Sequence, residues 1–332
     1  MTDLERWLSD AEIQQSKLIA TRDPSNKQRH HFVPQMYLKR WLEPNGQNIQ
    51  YKNFETGKGG FGSPKTVGFL PYFYRYDSIG EPELWVETHL GRIENDGAML
   101  LRMLDSMADG EVTNPRTVRD LAIYVGLQSQ RTPRVREINT AVENWNPTGK
   151  SVQTAAIDLA ISTWRGMVVS HLSTGRRWWL ASTSSPLMTC DEPIIHIGYP
   201  GWTRKKRLSL ATTSMLVFPI SPYRLLIAAA RNDHVDVVPP FTLAPAEVDE
   251  INLEITANCL KVTYEQESTR IAAGLSIPSA VPNPDIDSDN IFKKTNHQTR
   301  WAGLEAPPPW PLSRWVRSMP LILQDFAKLF GY

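Results

Sequence analysis

Apolar Leu4, Trp7, Leu8, Ile13, Leu18 and Ile19 recur among charged residues over 3–21, a spacing that predicts an amphipathic helix, read as a peripheral arm. Asp23-Pro24-Ser25-Asn26 breaks it. A short helix is expected to begin near Pro34, where proline's missing N–H costs nothing in the first turn, and to run through Leu42. From 47 to 77 the pattern shortens into extended pieces: 49–54 alternates, 57–62 supplies turns, and Tyr72-Phe73-Tyr74-Arg75-Tyr76 carries strand-favouring aromatics. Helical spacing returns over 83–108, 114–144 and 150–173, with Leu121, Tyr124 and Val125 among its apolar positions.

Beyond Gly175 compact apolar runs at 178–181, 194–197, 214–220 and 225–230 predict buried strands, and a helix is expected over about 246–263. Prolines and aspartates over 277–290 read as a linker. Ala306-Pro307-Pro308-Pro309-Trp310-Pro311 is expected to be extended, and 312–330 is rich in large apolar side chains. Packing against the body is the first expectation for this tail, ahead of docking a protein partner or lying on a membrane surface.

These elements predict an α+β fold class: long central helices with a small antiparallel or mixed sheet and an additional C-terminal extension. The chain divides into a helical arm (1–26), a main domain (27–275), and a Pro-rich linker with a C-terminal amphipathic segment (276–332).

A hydrophobic content of 41% over 332 residues is enough to bury a core, so the chain is a folded protein. Lys plus Arg number 36 against 35 Asp plus Glu, which leaves no global field to draw it to nucleic acid or an anionic membrane. Contact with nucleic acid would have to come from local patches: Arg176 and Arg177 beside Trp178 and Trp179, and Arg204, Lys205, Lys206 and Arg207 beside Trp202. Two cysteines, Cys190 and Cys259, are too few for a disulfide framework, and neither sits in a Cys-x-x-Cys pair. No uncharged apolar stretch reaches spanning length, so the expected location is cytoplasmic.

His30 and His31 stand just before the Pro34 helix. An anion is favoured at a helix N-terminus, and imidazole moves a proton near neutral pH, so phosphate chemistry fits. The segment His30-His31-Phe32-Val33-Pro34, with Leu38 and Trp41 after it, resembles the opening signature of a bacterial family of unknown function, DUF4238. The resemblance continues through Arg131-Thr132-Pro133, through Thr189-Cys190-Asp191-Glu192-Pro193, through Phe218-Pro219-Ile220-Ser221 and at Asn252, covering about 27–265. Cys190 and Glu192 depart from the family's usual Ser and Asn. The resemblance implies a shared fold and a bacterial setting.

Each candidate residue carries a functional and a structural reading. His30 and His31 are candidate catalytic groups and metal ligands, or they cap backbone groups and pack beside Phe32. Asp191 completes a His–His–Asp set suited to Mg²⁺ or Mn²⁺, or it forms a turn before Pro193. Arg131 is an anion clamp, with Gln128 and Gln35 as substrate contacts, or it is a buried arginine bridging to an acid such as Glu94. Asn252 reaches a polar site or bonds a loop backbone.

The chain lacks a Gly-x-x-x-x-Gly-Lys-Ser/Thr loop, a Gly-x-Ser-x-Gly elbow and a His-Glu-x-x-His helix, which weakens ATP-driven, serine-esterase and zinc-protease readings. The first expectation is a metal-assisted or histidine acid–base hydrolase, of the nuclease or phosphodiesterase kind, in bacterial defence. The second is a non-catalytic module that binds an anionic ligand or a partner.

Overall fold

Asn114, Thr132 and Ser151 each accept hydrogen bonds from backbone N–H groups two or three residues ahead, and so mark where three helices begin. They organise the first of two units in the computed structural model, which describes residues 3–22, 28–77, 83–204, 208, 210, 212–231, 242–279, 300–301, 304–312 and 315–316.

The helical unit is built from 1–40, 62–107 and 113–173. Its helices are α1 (Asp10–Arg22), the short α2 (Gln35–Leu38), α3 (Trp85–Asp105), α4 (Pro115–Gln130), α5 (Pro133–Trp145), α6 (Val152–Thr163) and α7 (Val169–Thr174). The single helix expected over 114–144 is two helices. Pro133 cannot donate to the preceding turn, and Thr132 caps α5, so the chain breaks at Arg131. The third helical segment is interrupted by a π turn at Trp164–Val168. The N-terminal segment is not peripheral: Leu4 and Trp7 are buried, Trp7 Nε1 donates to Asp96 on α3 at 2.8 Å, and the Leu4 N–H donates to Asp120 on α4 at 3.1 Å.

A two-stranded antiparallel ribbon joins Arg29–His31 to Phe69–Pro71, pairing His30 with Leu70 and His31 with Phe69. Gly68, at φ +67°, turns the chain so that its carbonyl receives the N–H groups of Phe32 and Val33. The strand expected at Tyr72–Tyr76 is largely a turn, entered through Tyr72 at φ +53°, and the ladder lies just before it.

The β-rich unit comprises 41–61, 108–112 and 174–332. Its larger sheet runs in the order Thr242–Leu243, Arg176–Thr183, Arg224–Ala230, Thr213–Ser221, Ile195–Gly198, with Gly110–Glu111 also paired to Arg176–Thr183. All its ladders are antiparallel except that of Thr242–Leu243. The four predicted apolar runs are all strands of this sheet. A smaller sheet has the order Gly59–Gly62, Ile49–Asn53, Val262–Glu265, Thr189–Cys190, so 59–62 is a strand where turns were expected.

Helix α8 (Pro245–Asn258) packs Val248, Ile251 and Ile255 into the same core as Ile197, Val217 and Ile227. It ends earlier than expected, because Cys259 turns extended and β-branched Val262 and Thr263 enter the smaller sheet. The described part of the C-terminal extension joins this core through Trp310, Leu312, Trp315 and Val316, so packing on the body is its role here.

Candidate functional site

His30 and His31 lie in the ribbon strand. The helix they precede, α2, is only four residues long, so the expected anion-favouring helix terminus is not formed. Adjacent strand residues point to opposite faces, yet both imidazoles are buried because the ribbon is covered on each side. The Tyr74 N–H donates to His30 Nδ1 at 2.7 Å, which places the proton of a neutral His30 on Nε2, and the two rings stack 5.9 Å apart.

His31 Nδ1 lies 3.2 Å from Gln35 Nε2, the amide nitrogen being the donor. Its Nε2 is buried with no hydrogen-bond partner. Burial, reinforced by Arg131, pulls the His31 pKa down to about 4, while the backbone of Pro64 and Lys65 opposes the shift without a bond of proper geometry to Nε2. His31 is therefore neutral at pH 7.

Arg131 caps the C-terminus of α4 and turns its guanidinium inward. Nη1 donates to Glu94 Oε1 at 2.8 Å, Nε to the Tyr74 hydroxyl at 3.3 Å, and Nη2 to the His31 carbonyl. The Tyr74 hydroxyl in turn donates to the Arg131 carbonyl at 3.0 Å. Burial alone would lower the Arg131 pKa, but Tyr74 and Glu94 outweigh it and raise it. Burial pushes the Tyr74 pKa up to about 12. Arg131 is thus the buried arginine bridged to Glu94, and its charge is already answered. Gln128, one turn earlier, is buried with Nε2 unpartnered.

Beside this network a pocket of about 430 Å³ opens within the helical unit. Its walls are Val86 and Leu90 of α3, Leu127 and Gln130 of α4, Arg136 and Asn139 of α5, Ala156, Ile157, Ala160 and Ile161 of α6, with Phe73, Tyr74, Arg131, Thr132 and Trp164 closing it. Trp164 begins the π turn and is fixed by Nε1 donating to the Ile123 carbonyl at 2.9 Å. Helical irregularities of this kind recur at functional sites. Arg136 donates from Nη2 to the Phe73 carbonyl at 2.6 Å and lies 4.6 Å over the Phe73 ring. Tyr74, Arg136 and Trp164 carried no motif that marked them in the sequence.

Asp191 and Asn252 belong to the β-rich unit. The Asp191 carboxylate accepts from the backbone N–H groups of Leu260, Lys261 and Val262 at 2.8, 2.7 and 2.9 Å, which holds the chain as it leaves α8. Asn252 accepts from the Met188 N–H at 2.8 Å and donates to the Pro186 carbonyl at 3.0 Å, so it bonds a loop backbone.

The basic patches are also altered. Arg176 is buried and donates to the carbonyls of Thr213, Ser214 and Leu210. Arg177 is held bidentately by Glu111 at 2.9 and 2.8 Å. Arg204 is buried in an ion pair with Glu254 at 2.8 Å. Neither Arg176 nor Arg204 is on the surface to meet a phosphate backbone. Lys205, Lys206 and Arg207 lie outside the described residues.

For a divalent metal the donor set fits poorly. His30 Nδ1 accepts from Tyr74, His31 Nδ1 from Gln35, and the Asp191 oxygens are engaged by three amides. Among the described residues no group of three or more His, Cys, Asp or Glu side chains is placed to hold an ion. No helix among them is long and apolar enough to cross a membrane.

No curated protein and no solved structure matches the chain. The family described as "Protein of unknown function (DUF4238)" matches residues 29–269, more than half of the sequence, and the chain belongs to that family.

Proposed function

We propose that this protein is a small-molecule-binding module, with the pocket between α3, α4, α5 and α6 as its ligand site. The carrying observation is the pocket itself: about 430 Å³, walled mainly by apolar side chains, with a few polar groups concentrated at the α4–α5 break. That composition suits a small ligand. The buried network of Tyr74, Arg131, Glu94 and the His31 carbonyl fixes one wall, and fixed walls lower the entropic cost of binding. Ligand-observed NMR with 1-octanol tests it. Binding to the wild-type chain and its loss in Ala160→Trp, with an unchanged far-UV circular dichroism spectrum, supports the reading. Equal binding by both proteins, or none by either, refutes it.

A second reading is a histidine acid–base hydrolase of the nuclease or phosphodiesterase kind, in a bacterial defence setting. What favours it is the buried, neutral His31 imidazole: with Nδ1 accepting from Gln35 its proton sits on Nε2, an unpartnered N–H that a substrate oxygen can engage. Single-stranded DNA, RNA and dinucleotides incubated with the chain, with and without Mg²⁺ or Mn²⁺, decide it. Cleavage abolished by His31→Ala supports it, and no cleavage under any condition removes it.

A further inference from the structure

Of the two cations on the pocket wall, only one is neutralised. Arg131 is paired with Glu94. Arg136 has one carbonyl and one aromatic face, and among the described residues no carboxylate pairs with it. Burial depresses the Arg136 pKa, with Tyr74 opposing, so part of its hydration is already lost without an acid in exchange.

The other polar side chains of the wall each have a protein partner. The Tyr74 hydroxyl serves Arg131, Asn139 Nδ2 donates to the Ala156 carbonyl at 3.1 Å, Thr132 caps α5, and Gln130 Nε2 reaches Ser129. An apolar pocket lined by one guanidinium that no carboxylate answers is complementary to a molecule with an apolar body and one negative charge.

We infer that the ligand is an apolar monocarboxylic acid whose carboxylate is recognised by Arg136. The inference rests on the pocket being a ligand site. A carboxylate matches the guanidinium fork and cancels one charge. A phosphate monoester brings about −1.5 to −2 and would leave charge uncompensated beside apolar walls.

The test is calorimetric titration of the full chain with octanoate, 1-octanol and octyl phosphate at pH 7.5. Octanoate is expected to bind about ten- to a hundred-fold more tightly than octanol, the range for a hydrogen-bonded charge. In Arg136→Gln that ratio is expected to fall to near one, and in Arg136→Lys, which keeps the charge but not the fork, to an intermediate value. Octanoate and octanol binding equally to the wild type would overturn the carboxylate assignment while leaving the pocket reading intact. Octyl phosphate binding best would overturn the ligand class. A ratio unchanged in Arg136→Gln would overturn the role of Arg136. Failure of octanol and octanoate alike to bind would remove the pocket reading and this inference with it.

Discussion

Arg131 Nη1 lies 2.8 Å from Glu94 Oε1, joining the end of α4 to the middle of α3 through a pair whose side chains are 2% and 19% exposed. The remaining donors of the guanidinium serve Tyr74 and the His31 carbonyl, so one side chain ties the His ribbon, the Tyr74 turn and two helices together.

Removing either partner strands a charge in a poorly solvated place. Arg131→Ala and Glu94→Ala are each expected to cost about 3–5 kcal/mol, and Arg131→Met with Glu94→Leu much less, since an apolar pair of similar volume often replaces a buried ion pair at little cost. Urea denaturation of both single variants and the double variant measures this. Additive losses would show that the pair is not coupled.

Acid should weaken the helical unit through two histidines. His89 sits between Trp7 and Trp85 with Nδ1 2.9 Å from Ser16 Oγ, and burial, then Arg92, lowers its pKa to about 4, as burial and Arg131 do for His31. The folded state therefore takes up these protons at lower pH than the unfolded chain, whose histidines titrate near 6.5. Stability from this source is complete above about pH 6.5 and is lost as pH falls toward 4. Each shift is worth about 3 kcal/mol. Unfolding free energies at pH 7.5 and 5 are expected to differ less in His31→Gln and His89→Gln than in the wild type, and a wild type indifferent to pH over this range would contradict it.

Asp191→Asn separates a structural from a catalytic carboxylate. An asparagine oxygen can keep Lys261 and Val262, but its NH₂ then faces the Leu260 N–H, leaving a buried donor unmatched at about 1–3 kcal/mol. A fall in the urea midpoint of that order is expected. Loss of some measured turnover with stability unchanged would restore Asp191 to the chemistry.

The sequence made the α+β class legible because its signals are periodic: the apolar runs that became the larger sheet, and the 3.6-residue stripes of α3 and α4. What it concealed depends on contacts distant in sequence. The motif at His30-His31 reads as a loop before a helix, but its strand exists only because Phe69–Pro71 pairs with it. The Pro133 break was written in the chain and was outweighed by helical spacing on both sides. Arg131 showed both its readings, and Glu94, 37 positions earlier, decided between them. Arg176 and Arg204 looked like surface charge beside tryptophans, whereas those tryptophans and both arginines are buried. The pocket had no local signature, since its walls come from four helices and a turn.

The C-terminal extension should depend on Arg204. Its guanidinium pairs with Glu254 at 2.8 Å, donates to the Pro308 and Pro309 carbonyls at 2.8 Å each, and lies 3.9 Å over the Trp310 ring, while Trp310 Nε1 donates to the Trp202 carbonyl at 2.8 Å. Glu254→Gln leaves this buried cation without its counter-charge, at an expected cost of about 3–5 kcal/mol. Gly198→Ala reaches the same place sterically, because a methyl group there would stand 2.6 Å from Trp310 Cε2 with little room to shift. Both variants are expected to speed proteolytic cleavage around 304–312 while the helical unit keeps its pH-dependent stability. Cleavage at the wild-type rate in both would mean that the segment is held by its apolar contacts alone, with Trp315, Leu312 and Val316 sufficient to keep it in the core.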